Sequence, residues 1–256
     1  MLRVLDVRNL AVTVGNRDVV KGASLCVSSG EIVLLFGPNA SGKTSLAMAI
    51  LGHPKYRISG GRIFFYGKDI TDLSIEARVR LGLTATFQFV PEVDGITLRE
   101  IAEAIAERHM VHGDFVEEMI EILKLEELMD RHINVGFSGG ERKRVEIFLT
   151  SLQLPKFVIF DEPDSGVDPD SISMIGRAIM RMMDYGLKGA LIITHTGFLA
   201  KHISASRAYV MMDGRIICHG PADAITDHIL SYGFKMCEKK FRGDIDVLEG
   251  ENKRVC

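Results

Sequence analysis

The chain has no apolar run approaching the roughly 20 residues that span a bilayer as a helix, and its first residues, Met1-Leu2-Arg3-Val4-Leu5-Asp6, are no secretory leader. Both absences point to a cytoplasmic protein without direct membrane insertion, although docking on a membrane protein stays open. Charge of one sign is also scarce. With 31 Lys and Arg against 34 Asp and Glu the net charge is −3, so the basic footprint of a nucleic-acid binder is missing. Cysteine is sparse: Cys26, Cys218, Cys237 and Cys256 are scattered without C-x-x-C spacing. That excludes clustered ligand spacing for a metal or iron–sulfur centre and reads as plain thiols in a reducing compartment. There is no internal repeat. What is present is 256 residues, 46% hydrophobic and 25% charged, enough for one large core or a core plus a small subdomain.

Strand patterns dominate the first part: 10–14, a turn at Gly15-Asn16-Arg17-Asp18, 23–27, the apolar run Ile32-Val33-Leu34-Leu35-Phe36, and 61–66. Between Thr97 and Leu128 the period changes. Leu98, Ile101, Ala102 and Ile105, then Phe115, Met119, Ile122 and Leu123, recur at helical spacing, and Gly113 divides them into two helices. From Phe157 strands and helices alternate: a strand at 157–160, a helix near 171–185, a strand at 190–194 and a short helix at 198–203. Strands at 208–212 and 216–219 follow, joined by Asp213-Gly214-Arg215, and a last helix after Pro221. Alternation of this kind predicts an α/β sheet split by a helical insertion. The tail from Lys235 to Cys256 is charged and aperiodic, either a docking extension or disordered.

Gly37-Pro38-Asn39-Ala40-Ser41-Gly42-Lys43-Thr44 is the chemical centre of the sequence. It follows the strand ending at Phe36 and opens a helix-like run from Ser45 to Leu51, the context that G-x-x-x-x-G-K-[ST] requires. Glycines let successive N–H groups wrap a polyphosphate, and the helix N-terminus adds partial positive charge. Lys43 is placed for the β- and γ-phosphates and the Thr44 hydroxyl for Mg²⁺. A second element, Phe157-Val158-Ile159-Phe160-Asp161-Glu162, puts two carboxylates at the end of a buried strand, where ligands of such sheets bind. Asp161 suits Mg²⁺ through water, and Glu162 suits the attacking water. Alone, such a pair is as readily a helix cap or a solvated loop.

Phe137-Ser138-Gly139-Gly140-Glu141 resembles the L-S-G-G-Q signature of ATP-binding-cassette ATPases, although in isolation it is also an ordinary N-capped helix start. Other elements of that family follow in order: Gln88 resembles the Q-loop glutamine, Ser165-Gly166-Val167-Asp168 the D-loop, and His195 the switch histidine. The resemblance covers about residues 2–233. It implies the cassette fold: a P-loop core with an antiparallel β subdomain (1–88 and 152–234) and an inserted helical subdomain (89–151), within one domain ending at 234. It also implies the site: Gly37 to Ser45 and Gln88 on ATP; Thr44, Gln88 and Asp161 on Mg²⁺; Lys43, Glu162 and His195 in hydrolysis. Ser138, Gly139, Gly140 and Glu141 would act in trans across a transient dimer bridged by ATP, and Asp168 would belong to the D-loop. The aromatic that many cassettes stack on adenine aligns with Val14, so base selectivity should be loose.

Wording narrows the resemblance. Transporter cassettes usually read L-S-G-G-Q-x-Q-R and D-E-P-T-S-A-L-D. This chain reads F-S-G-G-E-R-K-R from Phe137 and D-E-P-D-S-G-V-D from Asp161, similar to the cassette ATPases of the SUF iron–sulfur cluster assembly system. That similarity implies a soluble scaffold partner of the SufB or SufD type. The ATP-binding subunit of a membrane transporter, and a non-catalytic module dimerised by ATP, are the competing readings. Arg142-Lys143-Arg144 reads as a solvated helix face.

Overall fold

The computed structural model describes residues 2–86 and 92–234. Its first element is a long antiparallel hairpin, β1 (Arg3–Val14) and β2 (Arg17–Ser28). Both strands run well beyond the segments 10–14 and 23–27. The reason is a shift of register between Val7 and Leu10, which breaks the period-2 pattern without ending the pairing. With β4 (Arg57–Phe65) and β5 (Lys68–Asp69) the hairpin forms a four-stranded antiparallel sheet of order β2-β1-β4-β5.

The second sheet contains β3 (Glu31–Phe36), β6 (Leu83–Ala85), β7 (Phe157–Asp161), β8 (Gly189–Thr194), β9 (Arg207–Met212) and β10 (Arg215–Pro221). Their order is β10-β9-β3-β8-β7-β6, and every pairing is parallel except the β9–β10 hairpin. Parallel strands covered on both faces read as continuous apolar runs, as β3, β7 and β8 do. Successive side chains of β3 enter different cores. Val33 and Leu35 pack with the inner face of the antiparallel sheet and with Leu46 and Ile50 of helix α1 (Lys43–Leu51). Ile32, Leu34 and Phe36 join the core on the opposite face.

A short helix α2 (Ile75–Arg80) precedes β6. The helical segment holds α3 (Leu98–His109), α4 (Gly113–Leu123) and α5 (Gly139–Ser151). Gly113 turns out to start α4; the break falls at Met110, whose φ of 53° ends α3 in the left-handed conformation. Leu98, Phe115, Met119 and Leu123 join the same core as α6 (Pro169–Asp184). Phe115 stacks on Tyr185 with ring centroids 3.8 Å apart, and Arg181 pairs with Glu118 at 2.7 Å, so α4 is fastened to the end of α6. The segment expected as a helix at 198–203 is a 3₁₀ turn, Leu199–His202. α7 (Ala222–Tyr232) closes the described chain, and the tail from Lys235 lies outside the described residues. No helix among the described residues is long and apolar enough to cross a membrane. Cys218 is buried, in line with the plain-thiol expectation, whereas Cys26 departs from it and is disulfide-bonded. Cys237 and Cys256 lie outside the described residues.

Arg78 anchors the P-loop helix from below. Its guanidinium is buried and donates to the carbonyls of Ala49 and Ile50, the last turn of α1, at 2.8 and 2.6 Å, and to Leu73 and Thr71 at 2.9 and 2.7 Å. Burial brings its pKa down to about 10, with Asp72 opposing. A cation on orphan C-terminal carbonyls is favourable. Arg78→Met strands those carbonyls and is expected to cost about 3 kcal/mol, lowering Tm by roughly 6–12 °C. Thermal unfolding followed by circular dichroism checks it.

Candidate nucleotide site

β3 delivers the chain into the loop at Gly37, and the loop is tight. A Cβ on Gly37 would collide with the Met211 carbonyl; one on Gly42, whose φ is 106°, would lie 2.7 Å from the Val19 carbonyl. Only glycine permits that closeness and that dihedral. The loop is braced from β9–β10, where Gly214 N donates to Ser41 O at 2.9 Å. Lys43 curls over it, with Nζ donating to Gly37 O at 2.8 Å and Pro38 O at 2.9 Å. Burial lowers the pKa of this ammonium, and the Glu162 and Asp161 carboxylates oppose the shift. Asn39 through Ser45 and Glu162 line a cavity of about 910 Å³, within the range of small-ligand pockets.

At the end of β7, Asp161 is fully buried. Its Oδ1 stands 3.4 Å from Thr44 Oγ1, and its backbone N–H donates to Thr86 Oγ1 at 3.1 Å. Its other oxygen, Oδ2, has no hydrogen-bond partner among the described residues. A buried carboxylate oxygen left over beside a hydroxyl at a helix N-terminus is the hard oxygen donor set that Mg²⁺ prefers; the residues fit that ion. Glu162 follows with φ of 51°, a left-handed conformation rare for a side chain of its size. Its N–H is held by Ile193 O at 2.9 Å. Glu162 Oε1 lies 3.4 Å from His195 Nδ1, and both side chains are partly open to solvent. Lys43, Thr44, Asp161, Glu162 and His195 are thus brought together from three segments of the chain.

Desolvation raises the pKa of Asp161, the Thr44 hydrogen bond and the two lysines Lys143 and Lys43 oppose, and Glu162 adds to the rise. The sign is the reverse of a salt-bridged aspartate. The contribution to stability is full below the ordinary value near 3.8 and is lost as pH rises through the raised folded value. Asp161→Asn removes that buried charge. It is expected to raise Tm near neutral pH by roughly 2–4 °C, the gain shrinking towards pH 4, while Mg²⁺-dependent ATP hydrolysis disappears. Melting curves across pH beside an ATPase assay check both halves.

Comparison with known proteins decides the identity of this arrangement. The ABC transporter family model matches residues 20–165. The chain belongs to the ABC ATPase family. It is 37% identical over 237 residues to a probable ABC transporter ATP-binding protein of Streptococcus pyogenes serotype M18, covering 88% of this chain and 91% of that one. It is 33% identical over 229 residues to the probable ATP-dependent transporter SufC of Escherichia coli, covering 85% and 92%. Among solved structures, the ADP conformation of the ATP-binding cassette MJ1267 matches with a TM-score of 0.75 and 26% identity, covering 98% of this chain and all of that one. The fold is that of an ABC ATP-binding cassette, and the protein is an ATPase.

Not every motif of the cassette reaches its own cavity. Ser138 caps α5 in a full capping box: Ser138 Oγ accepts from Glu141 N at 3.2 Å, and the Glu141 carboxylate accepts from Ser138 N at 2.7 Å. Ser138 and Gly139 are exposed, and no signature residue lines the cavity. The signature instead packs on the D-loop. A Cβ on Gly140 would stand 3.1 Å from both the Asp168 carboxylate and the Ser171 hydroxyl. Asp168 caps α6 by accepting from Ser171 N at 2.9 Å, which lowers its pKa. Gln88 lies outside the described residues.

The cassette departs from sequence expectation at two points. Val14 is not among the cavity-lining residues; Asp18, Val19, Lys21, Asp213 and Gly214 form that end instead. A hairpin rim of this kind has no local sequence signal. Arg142-Lys143-Arg144 is not a solvated face either. Arg142 donates to Phe137 O at 3.0 Å and Glu92 at 2.6 Å, Lys143 pairs with Glu146 at 3.2 Å, and Arg144 donates to the Leu123 and Lys124 carbonyls at 2.5 and 2.9 Å. The end of α4 offers unpaired carbonyls, and Arg144 fills them.

Proposed function

We propose that this ATPase hydrolyses ATP with Mg²⁺ in a transient head-to-tail dimer and couples closing and opening of that dimer to a SufB/SufD-type scaffold during iron–sulfur cluster assembly. The observation that carries the dimer is spatial. The signature helix presents an exposed N-terminus that contributes nothing to the chain's own cavity, although exposed backbone donors at such a terminus suit a γ-phosphate. A second copy turned head to tail supplies them. In this reading Lys43 exchanges the Gly37 and Pro38 carbonyls for the β- and γ-phosphates. Thr44 and Asp161, with Gln88, hold Mg²⁺, which when bound neutralises phosphate charge. Glu162 takes the proton of the attacking water, His195 beside it contacts the γ-phosphate, and Asp168 sits at the dimer seam. ATP then favours the closed dimer by no more than its differential affinity for that state.

The scaffold half rests on the wording F-S-G-G-E-R-K-R and D-E-P-D-S-G-V-D and on the likeness to SufC of Escherichia coli. The relative from Streptococcus pyogenes carries a transporter description, so the ATP-binding subunit of a membrane transporter is the competing reading. Native purification of the tagged protein, with soluble and membrane fractions analysed separately by mass spectrometry, separates them. Recovery with a soluble SufB-like scaffold is expected. Recovery with a polytopic membrane protein makes the chain a transporter motor.

A further inference from the structure

Two positions after Glu162, where transporter wording has threonine, stands Asp164. It is buried, 3% exposed. Its Oδ2 accepts a hydrogen bond from Thr194 Oγ1 at 2.8 Å and a second, short one from Thr196 Oγ1. Those threonines flank His195. Each spends its single hydroxyl proton on Asp164 and turns its lone pairs to the backbone of the same loop. Thr194 Oγ1 accepts from Thr196 N at 3.1 Å and Gly197 N at 3.4 Å, and Thr196 Oγ1 accepts from Phe198 N at 3.3 Å. One carboxylate oxygen thereby gathers the loop after β8 into a fixed turn and ties it to the loop after β7. The second tie is Glu162 N to Ile193 O at 2.9 Å. Between the ties lies the 3.4 Å approach of Glu162 to His195. Burying a polar group is costly unless it is hydrogen-bonded, and both hydroxyl donors converge on Oδ2, while Oδ1 is buried with no hydrogen-bond partner among the described residues. A carboxyl group here, rather than an apolar filler, indicates that its geometry matters.

We propose that Asp164 is a positioning residue that holds His195 against Glu162. The proposal rests on the reading of Glu162 and His195 as the hydrolytic pair. A misplacement of about 1 Å at a reacting group costs on the order of 100-fold in rate. Asp164→Ala is therefore expected to lower kcat roughly 10- to 100-fold, while ATP affinity, read with a fluorescent ATP analogue, changes less than about threefold. Asp164→Asn keeps an acceptor oxygen for both hydroxyls and is expected to restore most of the lost rate. The near-isosteric pair Thr194→Val and Thr196→Val removes the same tie from the other side. Combined with Asp164→Ala it should add little further loss, because all three act as one unit.

A readout independent of turnover keeps the tether testable. In the full chain labelled with ¹⁵N-histidine, the His195 ring signal, assigned by its loss in His195→Gln, should move towards that of a freely rotating ring in Asp164→Ala and stay in place in Asp164→Asn. An unmoved ring in Asp164→Ala overturns the proposal. So does a rate loss matched by an equal loss of ATP affinity, which signals collapse of the site. If the wild-type chain with its partner does not hydrolyse ATP, the hydrolytic reading fails, and the ring signal still decides whether Asp164 holds His195.

Discussion

Glu162→Gln is expected to slow ATP hydrolysis by about 10²- to 10⁴-fold, the range a positioned general base contributes, while ATP stays bound. Glutamine matches the length and shape of glutamate but cannot accept the water proton. The strained backbone at position 162, φ 51°, and its hydrogen bond to Ile193 O are main-chain features that the substitution leaves alone. Lys43 and the loop from Gly37 to Thr44 are untouched, so binding is retained. With the γ-phosphate never removed, the bridged dimer should persist, and light scattering with ATP and Mg²⁺ should show dimers where the wild type shows monomers. Hydrolysis at the normal rate would remove Glu162 from the role of base. Loss of hydrolysis without dimers would leave the base in place and remove the bridging reading.

Ser138→Arg has the second large effect. It is expected to abolish turnover and spare ATP binding to the monomer. Ser138 is exposed at the start of α5 and does not line the cavity formed by its own chain, so the long cation obstructs only what a second copy would bring. The substitution also removes the N-cap that accepts from Glu141 N, worth about 1 kcal/mol. A Tm loss of roughly 2–4 °C is therefore part of the expected result. Ser138→Asn, a comparable cap without the bulk, separates capping from obstruction: it should recover the Tm. Unchanged turnover in Ser138→Arg would mean that each chain completes its own site.

Much of the nucleotide site is legible in sequence because it is local. The P-loop needs one strand, one loop and one helix in succession, and residues 32–51 spell all three. Asp161 and Glu162 follow an apolar strand by the same logic. The signature is legible as a motif, yet its sequence cannot say whether the helix start serves as a cap or as a ligand site. The structure shows a complete capping box and an exposed terminus together. Contacts between distant segments were not legible. Arg78 on the end of α1, Arg144 on the end of α4, and Asp164 on threonines 30 and 32 residues away are polar side chains whose partners are fixed only once helices and strands are packed. Their sequence neighbourhoods look like ordinary surface. The reading of Arg142-Lys143-Arg144 as solvated failed for that reason, and so did the plain-thiol reading of Cys26.

The sequence by itself determined the elements and the phosphate chemistry: periodicity fixes whether a segment is strand or helix, and glycine spacing fixes where a backbone can wrap phosphate. Only the tertiary structure decided which face of β3 meets which core, that the rim beyond the P-loop is built from Asp18, Val19, Lys21 and Asp213 rather than at Val14, and that Glu162 and His195 meet at 3.4 Å beside the tie from Asp164 to Thr194 and Thr196. Sheet order and loop closure bring those residues together. Both depend on burying apolar area between elements far apart in the chain, a quantity that no local window of sequence contains.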